Sequence, residues 1–185
     1  MKSRPRIIKS HNVYSGEISV KAAKFRVNGR FAMKEYIQYS NSVGIIPIDN
    51  NNNLLLIRQY RFAANKSLIE IPAGKIENGE KPKMAALREL NEETGYTGRL
   101  TPITQWYLAP GYSTEKMYLF LATDLKKIKN RLAMDHDETI KLIRVDLQTA
   151  LKKCIRGEIE DCKTISGLML YSQLNHVIPN QNESN

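Results

Sequence analysis

The chain has 185 residues, 42% of them apolar, enough for one domain with a proper core. Lysine and arginine number 28 against 19 aspartates and glutamates, a net charge of +9 that favours phosphorylated metabolites, nucleic acid or an acidic surface as partners. The two cysteines, Cys154 and Cys162, make no disulfide framework, no apolar run approaches the roughly 18 residues of a membrane span, and no apolar signal core follows the basic N-terminus. These features exclude a disulfide scaffold and a helical membrane protein, and the expected location is the cytoplasm.

Residues 1–40 carry eight Lys/Arg before position 31 against the single acid Glu17. Asn28-Gly29 is a hairpin turn signal flanked by β-rich runs at 18–27 and 31–39, so a small N-terminal sheet is expected. Its basic bias suits a nucleic-acid patch, but the aromatics follow no RNA-module pattern, and a solvated face or a dimer contact is preferred. Val43-Gly44-Ile45-Ile46-Pro47-Ile48 and Leu54-Leu55-Leu56-Ile57, around the polar turn 49–53, read as a second hairpin. Arg58 and Arg61 at its end suit a grip on phosphate, although by residue type alone a pair of surface ion-pair formers is the better reading.

Residues 68–74 read as a strand interrupted by Glu70, whose carboxylate needs a partner. Strands are expected at 100–108 and 116–123, joined by 109–115 with a turn at Pro110-Gly111. The polar stretch that follows contains Asp135-His136-Asp137-Glu138 and leads to a strand at 141–145. Asp146 can cap a helix to about Arg156, closed by Gly157, and Asp161 another to about His176. The tail at 179–185 reads as disordered, and no linker divides the chain into independent domains.

Between the strands at 68–74 and 100–108 lies the most informative stretch. Four carboxylates, Glu80, Glu89, Glu92 and Glu93, fall within fourteen positions. Pro82 suits the first turn of a helix and Gly95 the residue just past its end, which predicts a helix over 82–94. Ala86, Leu87, Leu90 and Thr94 make its buried stripe, with Glu89, Glu92 and Glu93 as neighbours on the other face. Glu89 and Glu93 repel each other and sit towards the unfavourable end of the helix dipole, while Glu92 can pair with Arg88. Such an oxygen-only cluster suits Mg²⁺ or Mn²⁺; the alternative is a solvated acidic face.

Gly74, Glu80, Arg88, Glu89, Leu90, Glu92, Glu93 and Gly95 match the Nudix box position for position, with Tyr96 where a smaller aliphatic is usual. The chain therefore resembles the Nudix hydrolase superfamily. The resemblance implies an α/β fold, the Nudix α/β/α sandwich with a mixed central sheet and flanking helices, over 41–178 and preceded by the N-terminal β-sheet. Arg58-Gln59-Tyr60-Arg61, Glu70-Ile71-Pro72-Ala73-Gly74, Pro110 and the segment 157–165 resemble the ADP-ribose pyrophosphatase group. That group implies Mg²⁺-dependent hydrolysis of ADP-ribose, with Mn²⁺ as an alternative ion, to AMP and ribose 5-phosphate, in a homodimer that exchanges its N-terminal sheet.

Carried over by resemblance, Glu89, Glu93 and the Ala73 carbonyl hold metal, with Glu92 at a further ion or in catalysis. Arg88 orients the acids and Glu80 steadies the loop. Arg58 and Arg61 meet the diphosphate, Glu70 a ribose or adenine group, and Pro110-Gly111 lines the substrate site. Trp106, Tyr107 and Tyr112 are candidates for stacking on adenine, or core aromatics. Glu138, with Asp137 as second choice, supplies the base or a further metal ligand ahead of a late strand. Another nucleoside diphosphate sugar, a capped RNA end, or sensing of ADP-ribose without cleavage are the competing readings. Nucleic acid is not the favoured partner, and no membrane is implied.

Overall fold

The computed structural model describes residues 4–129 and 140–177. The N-terminal stretch forms an antiparallel sheet of order β1-β2-β3, from β1 (Arg6–Ser15), β2 (Ser19–Val27) and β3 (Arg30–Gln38). Asn28 and Gly29 both take positive φ, 49° and 78°, and Val27 pairs with Arg30, as an Asn-Gly hairpin turn requires. The sequence pattern gives no sign of β1. All 10 of its residues are exposed, so no buried alternation marks it, and its pairing with β2 is broken by two register shifts.

Gln105–Met117 joins this sheet in one compact unit, which runs through Ser42. The turn holding Pro110 and Gly111 is fastened to β3: Ile37 donates its N–H to the Tyr112 carbonyl at 2.7 Å, and Thr114 donates to the Ile37 carbonyl at 3.0 Å. Ser42 donates its hydroxyl to Glu115 at 2.8 Å.

Val43–Thr104 and the described residues from Tyr118 onwards form the other unit. Its elements are built from β4 (Ser42–Pro47), β5 (Asn53–Arg61), β6 (Lys66–Glu70), β7 (Ala73–Lys75), β8 (Tyr96–Tyr107), β9 (Lys116–Lys127) and β10 (Ile140–Asp146), with helices α1 (Pro82–Thr94), α2 (Leu147–Ile155) and α3 (Cys162–Val177). The strands make a four-stranded sheet of order β7-β4-β9-β8 and a three-stranded sheet of order β10-β5-β6.

Two sequence expectations are corrected here. β4 and β5 do not pair as a hairpin ladder but belong to different sheets, with an isolated bridge, Ile48–Leu54, at the turn between them. Asp49 explains the redirection: its carboxylate accepts the N–H groups of Asn51 and Asn53, both at 2.9 Å, and folds the polar turn onto itself. The apolar run 68–74 is likewise two strands, β6 and β7, separated at Ile71-Pro72. Pro72 has no N–H for a ladder, the Ile71 N–H goes to Thr164 Oγ1 at 2.8 Å, and the Pro72 carbonyl accepts from Ile45 at 2.8 Å.

The helix signals hold. Pro82 opens α1, and Gly95, at φ 75°, closes it by donating to the Asn91 carbonyl at 2.8 Å. Asp146 accepts from the Thr149 N–H at 2.9 Å at the start of α2, and Gly157 beyond its end has φ 73°.

Strand alternation sets the layers. Val43, Ile45, Leu55, Leu100, Phe120 and Ala122 pack with Ala85, Ala86 and Leu90 of α1. Their neighbours of opposite parity, Ile46 and Leu119, lie instead beside Gly167 of α3. The sheets therefore stand between α1 and α3, an α/β/α arrangement with a mixed central sheet. Each fully buried Leu or Ile contributes roughly 1.5–3 kcal/mol, so this core fixes α1 firmly over the strands. Among the described residues no helix is long and apolar enough to cross a membrane.

Candidate active site

α1 carries the expected apolar stripe, and its acids do not form the solvated face that was the alternative reading. Ala86, Leu90 and Thr94 are buried, but so are Glu89 and Glu93, 9% and 2% exposed. These carboxylates point at the loop that enters β7. Glu93 Oε2 accepts the Ala73 N–H at 2.8 Å. Glu89 lies so close over Gly74 that a Cβ built there would coincide with its carboxylate. Gly74 is thus a cradle for an acid.

Arg88 organises the rest. Its Nη1 donates to Glu89 Oε1 at 2.7 Å and to Glu92 Oε2 at 3.0 Å, and its Nη2 to the Lys75 carbonyl at 2.9 Å. Nε and Nη2 also reach Glu80 at 3.2 and 3.0 Å. One guanidinium therefore ties the helix to both ends of the loop, and Glu80 in turn accepts the Glu77 N–H at 3.1 Å. The Glu80 hydrogen bond, opposed by partial burial and reinforced by Glu89, holds Arg88 charged more firmly than usual. Arg88 in turn holds the Glu80 carboxyl below its usual range. The sequence already pairs Arg88 with Glu92; its contact with adjacent Glu89 is not visible from helical spacing, which separates neighbours by about 100°.

A second charged group adjoins the first. Glu70, 1% exposed, receives Arg61 Nε and Nη2, both at 2.8 Å, and also the Lys163 ammonium. Lys163 reaches Asp161 Oδ1 at 2.9 Å, and Asp161 Oδ2 accepts from the Thr164 N–H at 2.9 Å as the cap of α3. Burial pushes the Glu70 carboxyl upwards, but Arg61 and Lys163 prevail and hold it below its usual range. Glu93 and Asp161 both act on the Arg61 charge, which links this group to the α1 acids. Lys163 and Thr164 are the residues that sequence reasoning missed. The available signal was the buried Glu70, together with even strand parity across β5–β6, which puts Arg61 and Glu70 on one face.

The other candidates fall elsewhere. Arg58 is exposed, lies opposite Lys141 of β10, and leaves β5 from the face opposite to Arg61. Pro110, Gly111 and Tyr112 are exposed in the unit that contains the N-terminal sheet. Tyr107 and Tyr112, 56% and 61% exposed, are not core aromatics, and Trp106 is half-buried. Asp137 and Glu138 lie outside the described residues.

As a donor set, Glu89, Glu92 and Glu93 offer only hard oxygens beside backbone carbonyls. Among the described residues no group of three or more His, Cys, Asp or Glu converges as a ready cage. Mg²⁺ and ions like it do not require one, since they take one or two carboxylates, keep several waters and share substrate phosphates. The residues fit such an ion.

Comparison with known proteins agrees with this geometry. The family described as NUDIX domain matches residues 38–163. The chain is 36% identical over 155 residues, 83% of each chain, to a Bacillus subtilis protein named ADP-ribose pyrophosphatase. It is 35% identical over 178 residues, 92% of this chain and 94% of the other, to a Bacillus methanolicus protein named methanol dehydrogenase activator. A solved structure titled as that of an ADP compounds hydrolase superposes with a TM-score of 0.84 at 26% identity, covering 96% of this chain and 97% of its own.

Proposed function

Since the chain belongs to the NUDIX family and is a hydrolase of that family, we propose that it hydrolyses the diphosphate bond of ADP-ribose, giving AMP and ribose 5-phosphate. The observation that carries the chemistry is the pair of buried carboxylates, Glu89 and Glu93, packed against the Ala73-Gly74 backbone and oriented by Arg88. The choice of ADP-ribose is supported by the 36% identity to a protein of that name over 83% of each chain.

Glu89, Glu93 and the Ala73 carbonyl would hold a divalent cation, Mg²⁺ or Mn²⁺, with Glu92 beside it. When bound, such an ion neutralises diphosphate charge and lowers the pKa of a bound water. Arg88 keeps the acids in place by spanning Glu80, Glu89 and Glu92, so its contribution is orientation. Arg61, whose charge Glu93 acts upon, takes the diphosphate. Glu138 acts as the base on the attacking water.

The protein works as a homodimer in the cytoplasm. The exposed N-terminal sheet, with Ile7, Phe31 and Met33 more than half exposed, supports the dimer, and the two free thiols, Cys154 and Cys162, suit a reducing compartment. The deciding experiment is a substrate panel with Mg²⁺, read by released AMP. ADP-ribose should be turned over faster than GDP-mannose, diadenosine polyphosphates and NADH, and EDTA should abolish the activity. Equal rates across the panel would defeat the substrate assignment, and activity in EDTA would defeat the metal argument.

A further inference from the structure

Glu70 holds two cations where one would neutralise it. Arg61 grips it through Nε and Nη2, and Lys163 contacts the same carboxylate. The two cations differ in their surroundings. The Arg61 side chain is 37% exposed and its Nη1 makes no hydrogen bond among the described residues, whereas Lys163 is 14% exposed. Glu70 itself is 1% exposed, so stripping it of every partner would leave an uncompensated buried charge, a strongly destabilising event.

We propose that Lys163 is a positioning residue that keeps Glu70 neutralised, so that Arg61 can leave it for the diphosphate of the substrate. The inference rests on the reading of a diphosphate substrate given above. Asp161 does not compete for Lys163 to the point of tying it up. Its Oδ2 is already satisfied by the Thr164 N–H at 2.9 Å and hydroxyl at 2.5 Å, and it sits at the N-terminus of α3, where the helix dipole favours an anion. Arg61 stands at the last position of β5, followed by the turn Phe62–Ala64, so its side chain can swing without disturbing a ladder. Glu93 already acts on the Arg61 charge, so the freed guanidinium stays within the field of the α1 acids.

Without Lys163, Arg61 becomes the sole counter-charge of Glu70 and stays on it. Lys163→Met, which keeps most of the unbranched side chain but not the charge, should raise KM for ADP-ribose roughly tenfold with kcat within about twofold. Adding Glu70→Gln to Lys163→Met removes the charge that holds Arg61 and should bring KM back towards wild type. A purely structural Lys163 would lower Tm without this KM-against-kcat split and without rescue. An unchanged KM in Lys163→Met, or a rise that Glu70→Gln does not reverse, overturns the proposal.

A second measurement uses the wild-type chain with isotope-labelled arginine and inorganic pyrophosphate as the probe. The Arg61 Nε–H resonance, assigned by its loss in Arg61→Lys, should shift as pyrophosphate saturates the protein. Pyrophosphate that binds without moving that resonance, or does not bind, overturns the proposal even if Lys163→Met fails to fold. Pyrophosphate that moves Arg61 in a protein inert towards ADP-ribose would sink the substrate assignment and leave this exchange standing.

Discussion

Gly74→Ala isolates the acid cradle, because the new methyl and the Glu89 carboxylate cannot occupy the same place. Gly74 is not among the glycines with positive φ, so the substitution acts through Glu89 and not through backbone strain. Glu89 must swing aside, giving up the 2.7 Å bond from Arg88. A hydrogen bond to a charged group is worth roughly 1.5–3 kcal/mol. Arg88 keeps Glu80, Glu92 and the Lys75 carbonyl, so the loss falls at the low end, about 1.5 kcal/mol. An off-rotamer side chain adds about 1 kcal/mol. At roughly 2–4 °C per kcal/mol for a chain of this size, Tm should fall by about 5–10 °C. Displacement of a reacting group by about 1 Å can cost on the order of a hundredfold in rate, so the activity loss should far outweigh the stability loss. Calorimetry and AMP release measure the two. The control is Gly74→Ala made on a Glu89→Ala background, where the methyl has room and the stability cost should vanish. Additive costs in that double variant, or a wild-type rate in Gly74→Ala alone, would refute the reasoning.

Other outcomes follow from the same geometry. Glu93→Gln keeps an acceptor for the Ala73 N–H, so metal-free stability should equal or exceed wild type while kcat falls by orders of magnitude; lost stability with an intact rate would make Glu93 structural. Glu138→Gln should lower kcat with little change in KM, and a larger loss in Asp137→Asn would move the base one residue back. Deleting residues 1–38 should reduce the light-scattering mass from dimer to monomer and impair activity, and full activity from a wild-type monomer would exclude the dimer. Glu70 has a folded pKa below its usual 4.5, so its stabilisation is full above 4.5 and is lost progressively as pH falls from there through the lower folded value. Tm should therefore decline below about pH 5, and less steeply in Glu70→Gln; parallel profiles would count against the pair.

The helix that carries the acids was legible because its signals are local: Pro82 and Gly95 mark its ends, and the carboxylate spacing lies within one element. The side on which those acids stand was not. Helical spacing groups Glu89 and Glu93 on one face but does not say what that face meets, whereas the structure turns them onto the Ala73-Gly74 backbone, a contact between segments 15 to 20 residues apart. The same limit hid the partners of Glu70. That it needed one was readable from an acid in an apolar run, but Lys163 lies 93 positions away and no local pattern names it. β1 escaped for the opposite reason, since a strand with no buried face has no alternation to read. The split at Pro72 was present in the sequence as a proline within an apolar run, and would have been found by asking where the Ile71 N–H goes.

Glu70 to Gly74 are consecutive residues whose first member belongs to the Arg61–Lys163 group and whose last supports Glu89, with Ile71 anchored by Thr164 and Pro72 by Ile45. The spacing between the backbone under the Arg61–Lys163 group and the backbone under Glu89 is thus set by covalent bonds, at most about 3.8 Å per residue, and not by how two surfaces happen to pack. A single inserted residue would leave each sheet intact and still put the two groups out of step. On the proposed reading, such a span gauges the pair of linked phosphates in a substrate and not what hangs from either end. Any change in which nucleoside or sugar is accepted has to be made outside these five residues, where loops can lengthen without altering the measure.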